Sequence, residues 1–122
     1  MERVKVMIVD DEPVFQELVL LVLSLDPKFE VVRIAGTGEE ALSAFEDADP
    51  DLVLLDFRMP GIDGLETARR MKEQSPNTKI AMVTAHTEQI LDRLAREARI
   101  QAVIPKASFN LERVQQLLEP TS

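Results

Sequence analysis

The chain has 122 residues and a mass of 13.7 kDa, room for one domain with a real core and not for two. Apolar residues make up 45% and charged residues 30%, which excludes a disordered or fibrous chain, and the absence of cysteine removes disulfide frameworks, thiolate zinc sites and thiol nucleophiles. Residues 1–64 carry 15 acidic against 5 basic side chains within a net charge of −8, so the acidic half suits a cation and argues against direct nucleic-acid binding.

With His86 as the one histidine, a multi-histidine metal site or a histidine-based triad is disfavoured. The longest apolar run, residues 18–23, falls far short of the ~18–20 residues of a membrane span. The first five residues, Met1 to Lys5, carry no signal-peptide pattern, so the expectation is a cytoplasmic chain with no membrane partner.

Along the chain, Val4–Val9 reads as a strand broken only by Lys5. Asp11-Glu12-Pro13 then offers a cap and an early proline. Val14, Leu18, Leu21 and Leu25 recur at helical spacing and define the expected core face of that helix, with Leu20 and Leu23 pointing elsewhere, toward a neighbouring helix, a partner or a second copy. Phe29–Ala35, containing Glu30 and Arg33, has the composition of an edge strand. Thr37-Gly38-Glu39-Glu40 has capping-box spacing before Ala41, Leu42 and Phe45.

After the Asp49-Pro50 break, Leu52–Leu55 reads as a strand covered on both faces. Pro60-Gly61 marks a loop, and Asp63-Gly64-Leu65-Glu66 opens a helix through Ala68 and Met71. Ser75-Pro76-Asn77 precedes a strand at 80–83, a helix carrying Ile90, Leu91, Leu94 and Ala98, and a strand at 102–104, these strands also covered on both faces. Leu111, Val114, Leu117 and Leu118 define a fifth helix, ended by Glu119-Pro120-Thr121-Ser122, where a linker would begin. Five strand–helix units in strict alternation predict a single α/β domain over 1–122, an open, doubly wound parallel sheet rather than an eight-fold barrel.

In such a sheet function gathers beyond the carboxyl ends of the strands. Asp10, Asp11 and Glu12 follow the first strand, Asp56 the third, Thr84 the fourth and Lys106 the fifth. Each has an ordinary role available: Asp11 as a helix cap, Asp56 in a turn, Thr84 as the next cap, Lys106 as a solvated lysine. Their joint placement at strand ends exceeds what capping explains. Carboxylates packed together repel unless a cation intervenes, and oxygen ligands without histidine or cysteine select Mg²⁺, with Mn²⁺ second. A lysine and a hydroxyl beside them suit phosphoryl oxygens, and an aspartate is itself a competent nucleophile for phosphoryl transfer.

Met7-Ile8-Val9-Asp10-Asp11-Glu12-Pro13, the segment from Leu54 to Gly64, Val83-Thr84-Ala85-His86 and Ile104-Pro105-Lys106 together resemble a response regulator receiver domain of the CheY-like superfamily, in order and over the whole chain. The resemblance implies a flavodoxin-like sheet of strand order 2-1-3-4-5 flanked by five helices. It implies Asp56 as phosphoacceptor for a sensor histidine kinase, and Mg²⁺ held by Asp11, Asp56 and the Arg58 carbonyl, with Asp10 acting through water or by orientation. Lys106, the Thr84 hydroxyl and the Ala85 N–H would contact the phosphoryl group.

Arg58 and the Pro105-Lys106-Ala107-Ser108 ending are similar to receivers fused to helix-turn-helix DNA-binding outputs. The output surface would span 90–119, where Arg93 and Arg96 lie off the helix's apolar face and Asp92 and Arg96 are spaced for an ion pair. A homodimer on phosphorylation is a further expectation. Val103 stands where the family usually has a switching aromatic residue, and Ala107 where a proline often follows the lysine. Arg58 and His86 occupy positions expected to slow hydrolysis of the acyl phosphate. The chemistry would be confined to the chain's own phosphorylation and dephosphorylation. A Mg²⁺-dependent aspartyl phosphatase is the alternative, weakened because its second acid would stand at Arg58; an unphosphorylated interaction module is the other.

Overall fold

A computed structural model describes residues 2–86 and 88–119. Strand and helix alternate throughout: β1 (Val4–Val9), α1 (Pro13–Leu23), β2 (Phe29–Ala35), α2 (Gly38–Ala48), β3 (Leu52–Leu55), α3 (Gly64–Gln74), β4 (Lys79–Thr84), α4 (Gln89–Glu97), β5 (Ala102–Pro105) and α5 (Leu111–Gln116), with one 3₁₀ turn at Lys106–Ser108. All strand pairs are parallel, in the order β2-β1-β3-β4-β5. The order reverses between β1 and β3, and the crevice beyond their carboxyl ends is where such a sheet binds its ligand.

The continuous apolar runs are explained by helices on both faces. Ala41, Phe45, Ala68, Met71, Leu91 and Ala95 of α2, α3 and α4 cover Met7, Val9, Val53, Leu55, Ile80 and Met82. Val19 and Leu23 of α1 with Val114 of α5 and Leu117 beyond it cover Val6, Ile8, Leu52, Leu54, Ala81 and Val83. The expected edge character of β2 matches its position at one side of the sheet. Residues 102–104 differ from expectation: β5 is the other edge, and Ile104 is its one fully buried side chain.

Helix starts follow local hydrogen bonding. Thr37 accepts from the Glu40 N–H at 3.0 Å, Asp63 from Glu66 at 2.9 Å and Asn110 from Arg113 at 2.9 Å. The Glu40 carboxylate reaches the Gly36 N–H at 3.3 Å rather than that of Thr37, so the capping box is only half formed. Glu12 occupies the N-cap of α1 and Glu88 that of α4, which relieves Asp11 and Thr84 of the capping roles open to them from sequence.

The core face of α1 is not the expected one. Phe15, Val19 and Leu23 turn inward, while Val14, Leu18 and Leu21 of the helix and Leu25 beyond its end face solvent, and Leu20 is also exposed. Only Gln16 and Glu17 are polar within the helix, so the pattern supplies no polar face to set its rotation. The rotation comes from tertiary contacts, among them the edge-to-face packing of Phe15 on Phe109 at 5.8 Å. In α4, Leu91 and Ala95 are buried whereas Ile90 is exposed, and the ion pair on this helix is Arg93–Glu97 at 3.4 Å rather than Asp92–Arg96. The segment 120–122, read as the start of a linker, lies outside the described residues. Among the described residues no helix is long and apolar enough to cross a membrane.

This arrangement predicts opposite outcomes on one helix. Leu23→Ala should cost about 2–5 kcal/mol in urea unfolding of dilute protein, and Leu21→Ala less than about 0.5 kcal/mol. Equal losses would contradict the observed rotation of α1.

Candidate functional site

The carboxyl end of β1 runs into Asp10 and Asp11, and that of β3 into Asp56. The sheet's hydrogen bonding extends past the strands: Asp10 N–H donates to the Ala35 carbonyl at 3.0 Å, and Asp56 N–H to that of Val9 at 2.9 Å. The acids are thereby fixed by backbone. One carboxylate oxygen from each of Asp10, Asp11 and Asp56 lies within 4.8 Å of the others. Asp10 and Asp56 are buried and Asp11 is exposed.

Lys106 enters from the turn after β5, crossing the end of β4. Its Nζ lies 2.9 Å from Asp10 Oδ2 and 3.4 Å from Asp56 Oδ2, and it also pairs with Glu12. The ammonium stands 4.6 Å from the centre of the Phe15 ring, a cation–π contact that supports it from beneath. Each buried acid has a backbone donor as well: Glu12 N–H to Asp10 Oδ1 and Phe57 N–H to Asp56 Oδ1, both at 2.8 Å.

The charges respond to this packing. Burial raises the Asp10 carboxyl above its ordinary 3.8, against the opposing pull of Lys106 and the Glu12 N–H, while the Asp56 charge adds to the rise. Burial works against the Lys106 charge too, but its bonds to Glu12 and Asp10 and the charges of Asp10 and Asp56 outweigh it and push the ammonium's pKa up. Lys106 is therefore no solvated surface lysine but the counter-ion of the cluster.

The loop after β3 forms the outer wall. Gly64 N–H bonds the Phe57 carbonyl at 2.6 Å, and a Cβ at Gly64 would collide with the Asp56 carbonyl and stand 2.9 Å from Phe57 Cα, so only glycine admits this approach. Glu39 of α2 accepts from the Ile62 N–H at 3.1 Å and pins the same loop. Asp11, Arg58, Met59, Pro60, Gly61 and Asp63 line an open cleft beside the acids.

Thr84 is fully buried at the end of β4, and its hydroxyl oxygen accepts from the His86 N–H at 3.1 Å; Ala85 is exposed at the bend. His86 meets Phe57 edge-on at 6.0 Å, and the Arg58 guanidinium lies 5.3 Å from the same ring. The structure thus gathers Asp10, Asp11, Asp56 and Lys106 into one cluster and brings both Arg58 and His86 against the Phe57 ring. Val103 sits apart from it, half-buried in β5 against the layer of α2, α3 and α4. Sequence reasoning missed Phe15, Phe57 and Glu39. Phe15 alone left a signal, since it follows Asp11 by one helical turn.

The donor set fits a hard divalent cation: three carboxylates converge, with no cysteine in the chain. An oxygen-lined acid cluster with a lysine, at the switch point of a doubly wound sheet, suits a divalent cation together with a phosphoryl group.

Comparison with known proteins agrees. Residues 6–119 match the family model for the response regulator receiver domain. The chain is 36% identical over 99 residues to the nitrate/nitrite response regulator protein NarL of Escherichia coli, covering 80% of this chain and 46% of that protein. It is 39% identical over 108 residues to a protein-glutamate methylesterase/protein-glutamine glutaminase of Syntrophus aciditrophicus, covering 87% of this chain and 31% of that one. The solved signal receiver domain of a NarL response regulator from Mycobacterium tuberculosis superimposes with a TM-score of 0.88 at 32% identity, over 95% of this chain and 96% of that chain. This chain belongs to the receiver domains of two-component response regulators, the phosphoacceptor modules of that signalling system. It spans less than half the length of these two curated relatives.

Charging Asp10 costs stability above its raised pKa, and the cost vanishes below 3.8, where folded and unfolded chains are both protonated. Asp10→Asn should therefore unfold at higher urea than the parent at pH 7 in chelator, with the gap closing as the pH falls toward 3.8. A gap that widens on acidification would reverse the sign assigned to this burial.

Proposed function

We propose that Asp56 is the residue phosphorylated, with a sensor histidine kinase as donor. A carboxylate oxygen of Asp56 attacks the phosphorus of a phosphohistidine, the P–N bond breaks, the imidazole takes a proton, and an acyl phosphate remains on Asp56. The observation that carries this reading is the state of the Asp56 carboxylate: buried, one oxygen fixed by the Phe57 N–H, the other 3.4 Å from Lys106. Asp11, Asp56 and the Arg58 carbonyl would hold Mg²⁺ or Mn²⁺, with Asp10 orienting, and the ion supplies neutralisation of the phosphoryl oxygens.

The remaining groups act on the transferred phosphoryl. Lys106 exchanges part of its carboxylate pairing for a phosphoryl oxygen, the Thr84 hydroxyl turns its proton toward another, and the Ala85 N–H donates to the group as well. Arg58 and His86, braced on Phe57, restrict the water that would hydrolyse the acyl phosphate. The added charge biases a surface spanning 90–119. Residues 1–122 form a single receiver module that acts on an output domain, fused or separate, a helix-turn-helix DNA-binding one by resemblance. The chain's own chemistry is limited to gaining and losing this phosphoryl group, because Arg58 stands where an aspartyl phosphatase places its second acid.

Acetyl phosphate with Mg²⁺ should add one phosphoryl group, detected by intact-mass spectrometry and lost in Asp56→Asn. Steady phosphate release from varied substrates, or no adduct at all, would overturn the reading. Asp11→Asn should weaken Mg²⁺ binding roughly tenfold or more, measured by calorimetry on the unphosphorylated protein.

Arg58→Ala and His86→Ala should each shorten the lifetime of the adduct. Unchanged lifetimes would remove these side chains from the hydrolysis step.

A further inference from the structure

Little holds the loop that walls the acid cluster. Among the described residues, the segment 58–62 makes one hydrogen bond, from the Ile62 N–H to the Glu39 carboxylate at 3.1 Å. Pro60 has no N–H to give, and Met59 is anchored through a half-buried, flexible side chain. Arg58, Met59, Pro60 and Gly61 nevertheless line the cleft that Asp11 shares. We propose, on the reading of the Arg58 carbonyl as an ion ligand, that Glu39 is a positioning residue of the cation site. By holding Ile62 it sets where the segment 58–61, and with it that carbonyl, lies against the acids.

Glu39 stands on a rigid base. Thr37 accepts from the Glu40 N–H at 3.0 Å, and the Ala41 N–H returns to the Thr37 carbonyl at 3.0 Å, which closes the first turn of α2. Ala41 and Phe45 bury the same helix in the core. The loop therefore adapts to the helix, not the helix to the loop.

The contact involves the whole carboxylate. Gly61 has a left-handed backbone at φ 85°, and a Cβ there would stand 2.5 and 2.6 Å from the two oxygens of Glu39. Both oxygens thus press on the Gly61 backbone while one accepts from Ile62. The Ile62 side chain lies against Gly38 of the same turn.

The chemistry makes this placement matter. Mg²⁺ takes its ligands at about 2.0–2.1 Å and tolerates little departure from octahedral geometry. A carboxylate swings about its side-chain bonds to meet an ion, whereas a carbonyl moves only with its backbone. The Arg58 carbonyl is the ligand that depends on the loop, and Gly61, three residues on, is where Glu39 fixes the loop. Glu39 also has an ordinary role, as an acid in the first turn of α2 that complements the helix dipole. Glutamine separates the two, because it keeps an oxygen for the Ile62 N–H and loses the charge.

Calorimetry of the unphosphorylated chain should show Mg²⁺ binding about tenfold weaker in Glu39→Ala and within about threefold of the parent in Glu39→Gln. Without the ion, the Ile62 amide should exchange with deuterium faster in Glu39→Ala than in the parent or Glu39→Gln. In labelling by acetyl phosphate, the Mg²⁺ concentration for half the maximal rate should rise about tenfold in Glu39→Ala, while the rate at saturating Mg²⁺ stays within about twofold of the parent. Equal Mg²⁺ affinity in Glu39→Ala and the parent would overturn the proposal. Glu39→Gln as weak as Glu39→Ala would also overturn it, by assigning the effect to charge alone. A lowered plateau with no shift in the Mg²⁺ midpoint would do the same, by reducing Glu39 to a support of the fold. In each of these outcomes a parent that binds Mg²⁺ and gains its phosphoryl group keeps the reading of Asp56; a parent that does neither removes both.

Discussion

Everything at the carboxyl edge of the sheet depends on one ammonium group facing several carboxylates. Asp10 and Asp56 are buried and Asp11 stands beside them, an arrangement that like-charge repulsion alone would drive apart or protonate. Lys106 makes it tolerable by reaching Asp10 and Asp56 together. The strand order dictates how it must do so. Its strand, β5, lies two places from β3, so the side chain has to cross the end of β4. Thr84 ends β4 and is fully buried there, its hydroxyl oxygen engaged by the His86 N–H.

The sheet and the acids were legible because two strong signals coincide. Strands covered on both faces read as unbroken apolar runs, and the first polar residue after each run marks the edge where ligands bind. Asp10, Asp56 and Thr84 follow that rule directly. The polar faces of α2 and α3 likewise set their rotation, and Thr37 and Asp63 mark their starts. The rotation of α1 was not legible, because a helix apolar all round satisfies any choice of core face. Only the packing of Phe15, Val19 and Leu23 against the sheet and α5 decides it. Glu39 was hidden for a related reason. Its bond to Ile62 joins α2 to the loop after β3 across 23 residues, and no local pattern announces such a contact.

Val103 narrows how a signal leaves the site. A valine in β5 has no ring to swing inward, so a change at Asp56 cannot be read out by that movement. Thr84 offers another route under the proposed reaction. Its hydroxyl oxygen already holds the His86 N–H, so drawing the hydroxyl toward a phosphoryl group pulls on the backbone of the segment that leads into α4. That route works through a backbone hydrogen bond rather than through the volume of an aromatic side chain. It ties the segment's position to the state of Asp56 without demanding a cavity for a large group.

The same lysine also connects the site to α1. Phe15 lies beneath its ammonium, on the inward side of the helix and one turn after Asp11, so the start of α1 is fixed by the charge cluster as well as by its own packing. Val14, the neighbouring residue, is exposed. Polar chemistry and apolar surface therefore meet within one turn of one helix, Phe15 turned inward to the charge cluster and Val14 outward to solvent.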